Sequence, residues 1–160
     1  MEYMALSMKY IDDFHSRIIN NSRIKDNKWG TTQMKKVALL ADGWRRLVTY
    51  SWVDGIMKGA REAGEEICLD YYSTNGTWSH DKKFNDGEYA LYDLPDLNTY
   101  DGIVFDCTNT ISKEQIDHIV SKLKNLKVPV VSIGYDMEGF YYVGNHNKKL
   151  FREVLDHLYY

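Results

Sequence analysis

From Lys35 onward the chain alternates short, continuously apolar runs with stretches of helical periodicity, and few folds accept that order. Residues 37–41 (VALLA) are apolar without a break, as a central parallel strand covered on both faces must be. Trp52, Val53, Ile56, Met57 and Ala60 then form one helical stripe, and Gly64 stands where a left-handed cap would end it. Residues 67–72 read as a second strand and residues 103–106 (IVFD) as a third. Ser112-Lys-Glu-Gln115 fits a capping box, followed by Ile116, Ile119, Val120 and Leu123 at the spacing of one buried helix face. Residues 128–134 (VPVVSIG) form a fourth strand, with Pro129 at its beginning, where a missing amide matters least. Residues 140–143 make a short fifth. Asn147 then caps a last helix whose apolar face is Leu150, Phe151, Val154, Leu155 and Leu158, and no strand follows it. Strands separated by helices imply right-handed crossovers. The expected fold is therefore α/β, a doubly wound parallel five-stranded sheet forming a single lobe over residues 35–160.

Two stretches are less regular. Residues 73–88 are polar and contain Asn75-Gly76 and Asp86-Gly87, which predicts a long loop or an irregular helix. Pro95 argues against a helix running through residues 89–97. Ahead of the alternation, residues 1–34 read as a helical arm and linker. Met4, Met8, Ile11, Phe14 and Ile18 recur at near-helical spacing among charged residues. Such a segment either packs on this or a neighbouring subunit or extends ahead of the compact domain.

The composition excludes several classes. A net charge of −3 carries no basic signature for nucleic acid. No apolar run approaches the ~18 residues of a membrane helix, and no signal-peptide pattern opens the chain, so a cytoplasmic location is expected. The two cysteines, Cys68 and Cys107, lack a CxxC spacing and read as thiols in a reducing compartment. Aromatic residues make up 14%, with 13 Tyr, and many fall in expected loops.

Parallel sheets bind ligands beyond the carboxyl ends of their strands. The positions to read are therefore 42–44, 73–80, 106–110, 134–139 and 144–147. The first strand is followed by Asp42-Gly43-Trp44-Arg45, which has neither GxGxxG nor GxxxxGK, so a phosphate cradle is not built there. A receiver-like phosphoacceptor would use Asp106, yet Asp42 has no acidic neighbour and the fifth strand supplies Phe-Tyr-Tyr-Val in place of a lysine. Cys107 with His80 or His146 could be drawn as a nucleophile and base, but a small apolar thiol at a strand end is the simpler reading. No HxH or HExxH spacing suggests a metal. Recognition chemistry remains. Asp42, Asp106, Asn109, Asp136, Asn145 and Asn147 offer polar groups at strand ends, and Trp44, Tyr50, Trp78, Tyr135 and Phe140 offer rings near the same loops. The structural alternative is that these Asp and Asn residues only cap helices and shape turns.

The segments KKVALLA (35–41), GIMKGAREAG (55–64), YDGIV (100–104), VPVVSI (128–133) and Val143…Asn147…His157-Leu158 resemble, in order and spacing, sensor domains of the LacI-type repressor and periplasmic-binding-protein-like family. Residues 87–102 look most like the sensor domains found ahead of GGDEF diguanylate cyclase modules. The resemblance covers about residues 35–160 and implies one lobe of a two-lobed, non-enzymatic sensor in a signalling or transcription regulator, with the second lobe absent from the sequence given. It implies a small polar ligand such as a sugar, no cofactor, and a homodimer. Residue by residue it suggests Asp42, Trp44, Asp106 and Tyr135 as ligand contacts. Residues 1–34 do not match the family's helix-turn-helix, so no direct nucleic-acid binding is expected, and no membrane partner either. The family's Asp-Asn before the last helix is His146-Asn147 here. A dimerisation or interaction module without a ligand is the alternative function.

Overall fold

The structure is a computed structural model that describes residues 34–42, 46–75, 79–108, 110, 112–144 and 147–159. The expected N-terminal arm and Trp44 lie outside the described residues. Among the described residues nine regular elements follow in chain order: β1 (Lys35–Asp42), α1 (Arg46–Glu62), β2 (Ile67–Thr74), α2 (Lys82–Tyr89), β3 (Gly102–Asp106), α3 (Lys113–Lys124), β4 (Val130–Ile133), β5 (Tyr141–Val143) and α4 (Asn147–Tyr159). Two short 3-10 turns, Ala90–Asp93 and Leu97–Thr99, bridge α2 and β3 on either side of Pro95. The strands form one sheet in the order β2-β1-β3-β4-β5, and every neighbouring pair is parallel. This is the doubly wound α/β lobe that the alternation predicts. Among the described residues no helix is long and apolar enough to cross a membrane.

The two faces of the sheet are separated by the period-2 alternation of β1. Ala38 and Leu40 join Ile103, Phe105 and Val130 in one apolar layer with Tyr89 of α2, Tyr92, Leu97 and Tyr100 of the bridge, and Ile119 and Leu123 of α3. Val37, Leu39 and Ala41 face the other way with Val104 and Ile133, against Trp52, Val53 and Ile56 of α1. Helix α1 ends as its glycine predicts. Gly64 has φ of 72°, its N–H donates to Arg61 O at 3.1 Å, and Glu65 N–H reaches Ala60 O at 2.9 Å. These two bonds are the paired closure of a Schellman motif.

Local polar contacts seat the strands. Asp101, in the Asp-Gly step before β3, accepts from Lys36 N–H at 2.8 Å and donates its own N–H to Lys36 O at 2.8 Å, which extends the β1 ladder one step below β3. Tyr100 donates its hydroxyl to Asp70 at 2.7 Å and meets Tyr72 Oη at 2.7 Å, tying the bridge to β2. The capping box forms by half. Ser112 Oγ accepts from Gln115 N–H at 3.4 Å, but the Gln115 amide donates instead to Asp86 of α2 at 2.8 Å. Tertiary contact between α2 and α3 outcompetes the reciprocal cap.

The connection from β4 to β5 carries no helix. Parallel strands normally need a crossover of a dozen or more residues. Here residues 134–140 suffice because β4 has four residues and β5 three, so the chain has little distance to return. Gly134 and Gly139 turn it at φ of 92° and 88°, a region that residues with a Cβ rarely enter. Phe105 lies fully buried at the centre of the larger apolar layer. Replacing it (Phe105→Ala) is expected to lower unfolding free energy by about 3–5 kcal/mol in equilibrium urea denaturation, the range for deleting a buried ring.

Candidate functional site

In the order β2-β1-β3, the chain leaves β1 to one side for β2 and returns past it for β3. The carboxyl ends of β1 and β3 therefore flank the topological switch point, where open α/β sheets form their ligand crevice. Asp42 ends β1 and Asp106 ends β3, and the register pairs Ala41 with Asp106. The two carboxylates stand one register step apart on adjacent strands but leave the sheet on opposite faces. Asp106 shares parity with Val104 and faces α1; Asp42 shares parity with Ala38 and Leu40 and faces the tyrosine layer. They do not form a shared carboxylate pair.

Both are almost fully buried, Asp106 at 2% exposure and Asp42 at 1%. The oxygens of Asp106 are occupied by the protein itself. Oδ2 accepts the Trp52 indole N–H at 3.0 Å, while Oδ1 accepts Thr108 N–H at 3.0 Å and the Thr108 hydroxyl at 2.7 Å. The first bond pins α1 to the end of β3. The other two close an Asx-type turn that aims the loop after β3. Trp52 belongs to the predicted stripe of α1, and a buried indole N–H must find an acceptor.

Asp42 is close enough to act electrostatically on Tyr89 and Tyr92, whose rings stand 6.2 Å apart. Burial pushes the Tyr92 phenol well above its ordinary range; a Thr74 hydrogen bond offsets part of this, and the charge of Asp42 adds to it. Tyr89 is raised by burial too, with the Thr110 hydroxyl opposing and Asp42 reinforcing. Thr74, at the end of β2, meets Tyr92 Oη at 3.3 Å. A second buried polar layer thus fills the rim on the α2 face. Sequence reasoning missed it, although Tyr89 and Tyr92 stand three residues apart in a stretch otherwise left without assignment.

Two other loops meet at the rim. Gly134 follows β4, and a Cβ added there would run into the methyl of Thr108. The glycine therefore lets the loop after β4 close against the loop after β3. Beyond it stands Tyr135, 54% exposed, whose carbonyl accepts the Ser132 hydroxyl at 2.7 Å. Its backbone is held while its ring is open to solvent. Of the four expected contacts, the structure brings Asp106 and Tyr135 to one side of the rim through Thr108 and Gly134. It buries Asp42 on the opposite face. Trp44 is not described.

Cys107 continues from β3 and is fully buried, with its thiol 3.6 Å from Ile133 O. Burial, followed by the Asp106 charge, pushes its pKa up to about 11. A thiol held protonated is a poor nucleophile. Among the described residues no three His, Cys, Asp or Glu side chains gather as a metal-binding group. A groove of about 710 Å³ lies away from the rim, at the amino ends of β4 and β5, bordered by Leu126, Pro129, Phe140 and Tyr141. It follows the helix-free connection and shares none of the strand-end residues.

Comparison with known proteins adds no identity: no family model matches the chain, and neither a curated protein nor a solved structure matches it significantly.

Removing the Asp106 carboxylate (Asp106→Ala) leaves the part-buried Trp52 indole N–H without its acceptor, while the donors of the exposed Thr108 turn to water. It is expected to destabilise the fold by about 1–3 kcal/mol, measured by thermal and urea unfolding, the range for one buried donor left unpaired. Thiol accessibility provides a second check. At pH 8, iodoacetamide should modify the half-buried Cys68 while sparing Cys107 until urea unfolds the protein. Because the fold favours neutral Cys107, its contribution to stability is complete below the ordinary thiol pKa of 9 and is lost as pH rises from there towards about 11.

Proposed function

We propose that this chain is a non-enzymatic ligand-sensing lobe of a signalling or transcription regulator, receiving a small polar metabolite such as a sugar on the carboxyl rim of its sheet. The observation that carries the reading is the convergence, beside the switch point, of an internally held carboxylate, Asp106, and the loops after β3 and β4, which it and Gly134 fix against each other. Such an arrangement is suited to presenting groups to a ligand with little reorganisation. Thr108 and Tyr135 are exposed residues of these two loops, one offering a hydroxyl and a turn of backbone, the other an open ring, and Asp136 stands exposed beside Tyr135.

In this reading Asp106 is a positioning residue and Tyr135 a contact. A ring stacks on the apolar face of a sugar while hydroxyl and amide groups take its hydrogen bonds. The rim forms one wall of the site, and a second lobe would form the other. A ligand touching both walls favours the closed arrangement by its differential affinity, which is how binding becomes a signal. With one wall alone, affinity is expected in the millimolar range, near −4 kcal/mol.

A nitrogen-15 NMR titration with a panel of D-glucose, D-galactose, D-ribose and myo-inositol tests this. One of the panel should shift the amides of Thr108 and Tyr135 in a saturable way. Tyr135→Ala should weaken that ligand by about tenfold or more with an unchanged melting temperature. If no member of the panel perturbs the rim, or if the shifts map to the groove at Pro129 and Phe140, the reading is wrong.

A further inference from the structure

Among the described residues β2 is a long edge strand left open. It runs eight residues in unbroken register with β1, whereas β5 at the opposite edge of the sheet has three. Edge strands are ordinarily kept short, or blunted by lysine, proline or a bulge, because their free N–H and C=O groups template another strand. The sequence of β2, ICLDYYST, has no lysine, arginine or proline, and its register has no bulge. Its one charge, Asp70, is held within the fold by the Tyr100 hydroxyl at 2.7 Å.

One bond fixes which backbone groups are free. Lys35 N–H donates to Glu66 O at 3.1 Å, so Glu66 turns towards β1. Alternate residues of a parallel strand bond to the same neighbour, so Cys68, Asp70, Tyr72 and Thr74 turn that way too. Ile67, Leu69, Tyr71 and Ser73 therefore present both backbone groups to the open side. Tyr71, 39% exposed, is the exposed member of that row.

We propose that this edge pairs antiparallel with the same edge of a second copy of the chain, joining two sheets into one. The occupant is a second copy because the edge is complementary to itself. A two-fold axis perpendicular to the sheet opposes residues of the same face, so it passes through a residue. Through Asp70 it would bring two carboxylates together in a close, non-hydrogen-bonded pair, which like charge disfavours. Through Leu69 it would oppose Tyr71 to Ile67 and Ser73 to Glu65, which lies before the strand begins. Through Tyr72 it would leave Leu69 without a partner in β2. Through Tyr71 it opposes Tyr71 to Tyr71 and Leu69 to Ser73, so the outward groups of these residues bond to one another. Asp70 then faces Tyr72, no two acidic residues of β2 are opposed, and two exposed rings meet at the centre, where cross-strand aromatic pairs add to the ladder. The same axis points the two carboxyl rims in opposite directions, so the pairing is independent of what either rim binds.

Sedimentation velocity and cysteine trapping on the full chain test the pairing. The unmodified chain should sediment as a dimer at high micromolar concentration and dissociate on dilution. Tyr71→Pro removes the central N–H, which β1 does not use, and should raise the dimer dissociation constant at least tenfold with the unfolding midpoint of the monomer little changed. Tyr71→Lys guards the edge without altering the backbone and should weaken the dimer as much, which decides the matter if proline impairs folding. In a Cys68→Ser background, Tyr71→Cys should form a covalent dimer under mild oxidation at least tenfold faster than Ser73→Cys, whose two copies would stand ~13 Å apart along the ladder. A chain that stays monomeric at high micromolar concentration, a dimer that Tyr71→Lys leaves intact, or equal trapping rates at the two positions would overturn the proposal.

Discussion

The rest of the structure depends on the burial of β1 from every side. All eight of its residues pair with β2, five of them also pair with β3, and apolar layers close over both of its faces. A strand in that position can have no unpaired backbone group and few polar side chains, because each would carry the cost of desolvation without a partner. Polar chemistry can then appear only where the ladder runs out. Asp42 sits at that point on β1, Thr74 on β2 and Asp106 on β3. The location of the candidate site is thus a consequence of the core, and the chemistry at the rim is what the interior excludes.

At the rim, polarity divides into groups that hold and groups that are held. Asp106 is spent on internal donors and joins α1 to the loop after β3. Asp42 acts on two tyrosines whose phenols it helps to keep neutral. Two exposed residues are the output of these contacts: Thr108 in its turn and Tyr135 beyond a glycine that admits the Thr108 methyl. A carboxylate at a strand end reads in a sequence as a ligand contact. In the folded chain the same group can do its work one layer further in, by fixing the residue that a ligand would touch.

How much could be read in advance differs by element. The strands and α1 were legible because their signals are local: an unbroken apolar run, a stripe at helical spacing, a glycine at the left-handed cap. Strand bounds moved by at most two residues, as in β4, read as residues 128–134 and observed as Val130–Ile133. Gly87 and a polar composition left residues 73–88 as either a long loop or an irregular helix; α2 forms there because Asp81 caps it and accepts from Lys83 N–H at 2.9 Å. The stretch around Pro95 resolves into two 3-10 turns, a form with no periodicity long enough to detect. The capping box at Ser112 was read correctly as a start signal and incorrectly as reciprocal, because a sequence window contains Gln115 but not Asp86, 29 residues away.

The amino-acid sequence by itself determined the order of elements, the parallel sheet and the loops in which polar groups gather, since apolar periodicity and chain connectivity suffice for these. Tertiary structure alone decided that Asp42 and Asp106 turn to opposite faces, that Trp52 claims one carboxylate oxygen, and that the loops after β3 and β4 meet at Gly134. It alone decided too that the apolar residues of α4 stay more than half exposed. Those outcomes depend on register and on partners distant in the chain, and neither is encoded within the span of one helix or strand.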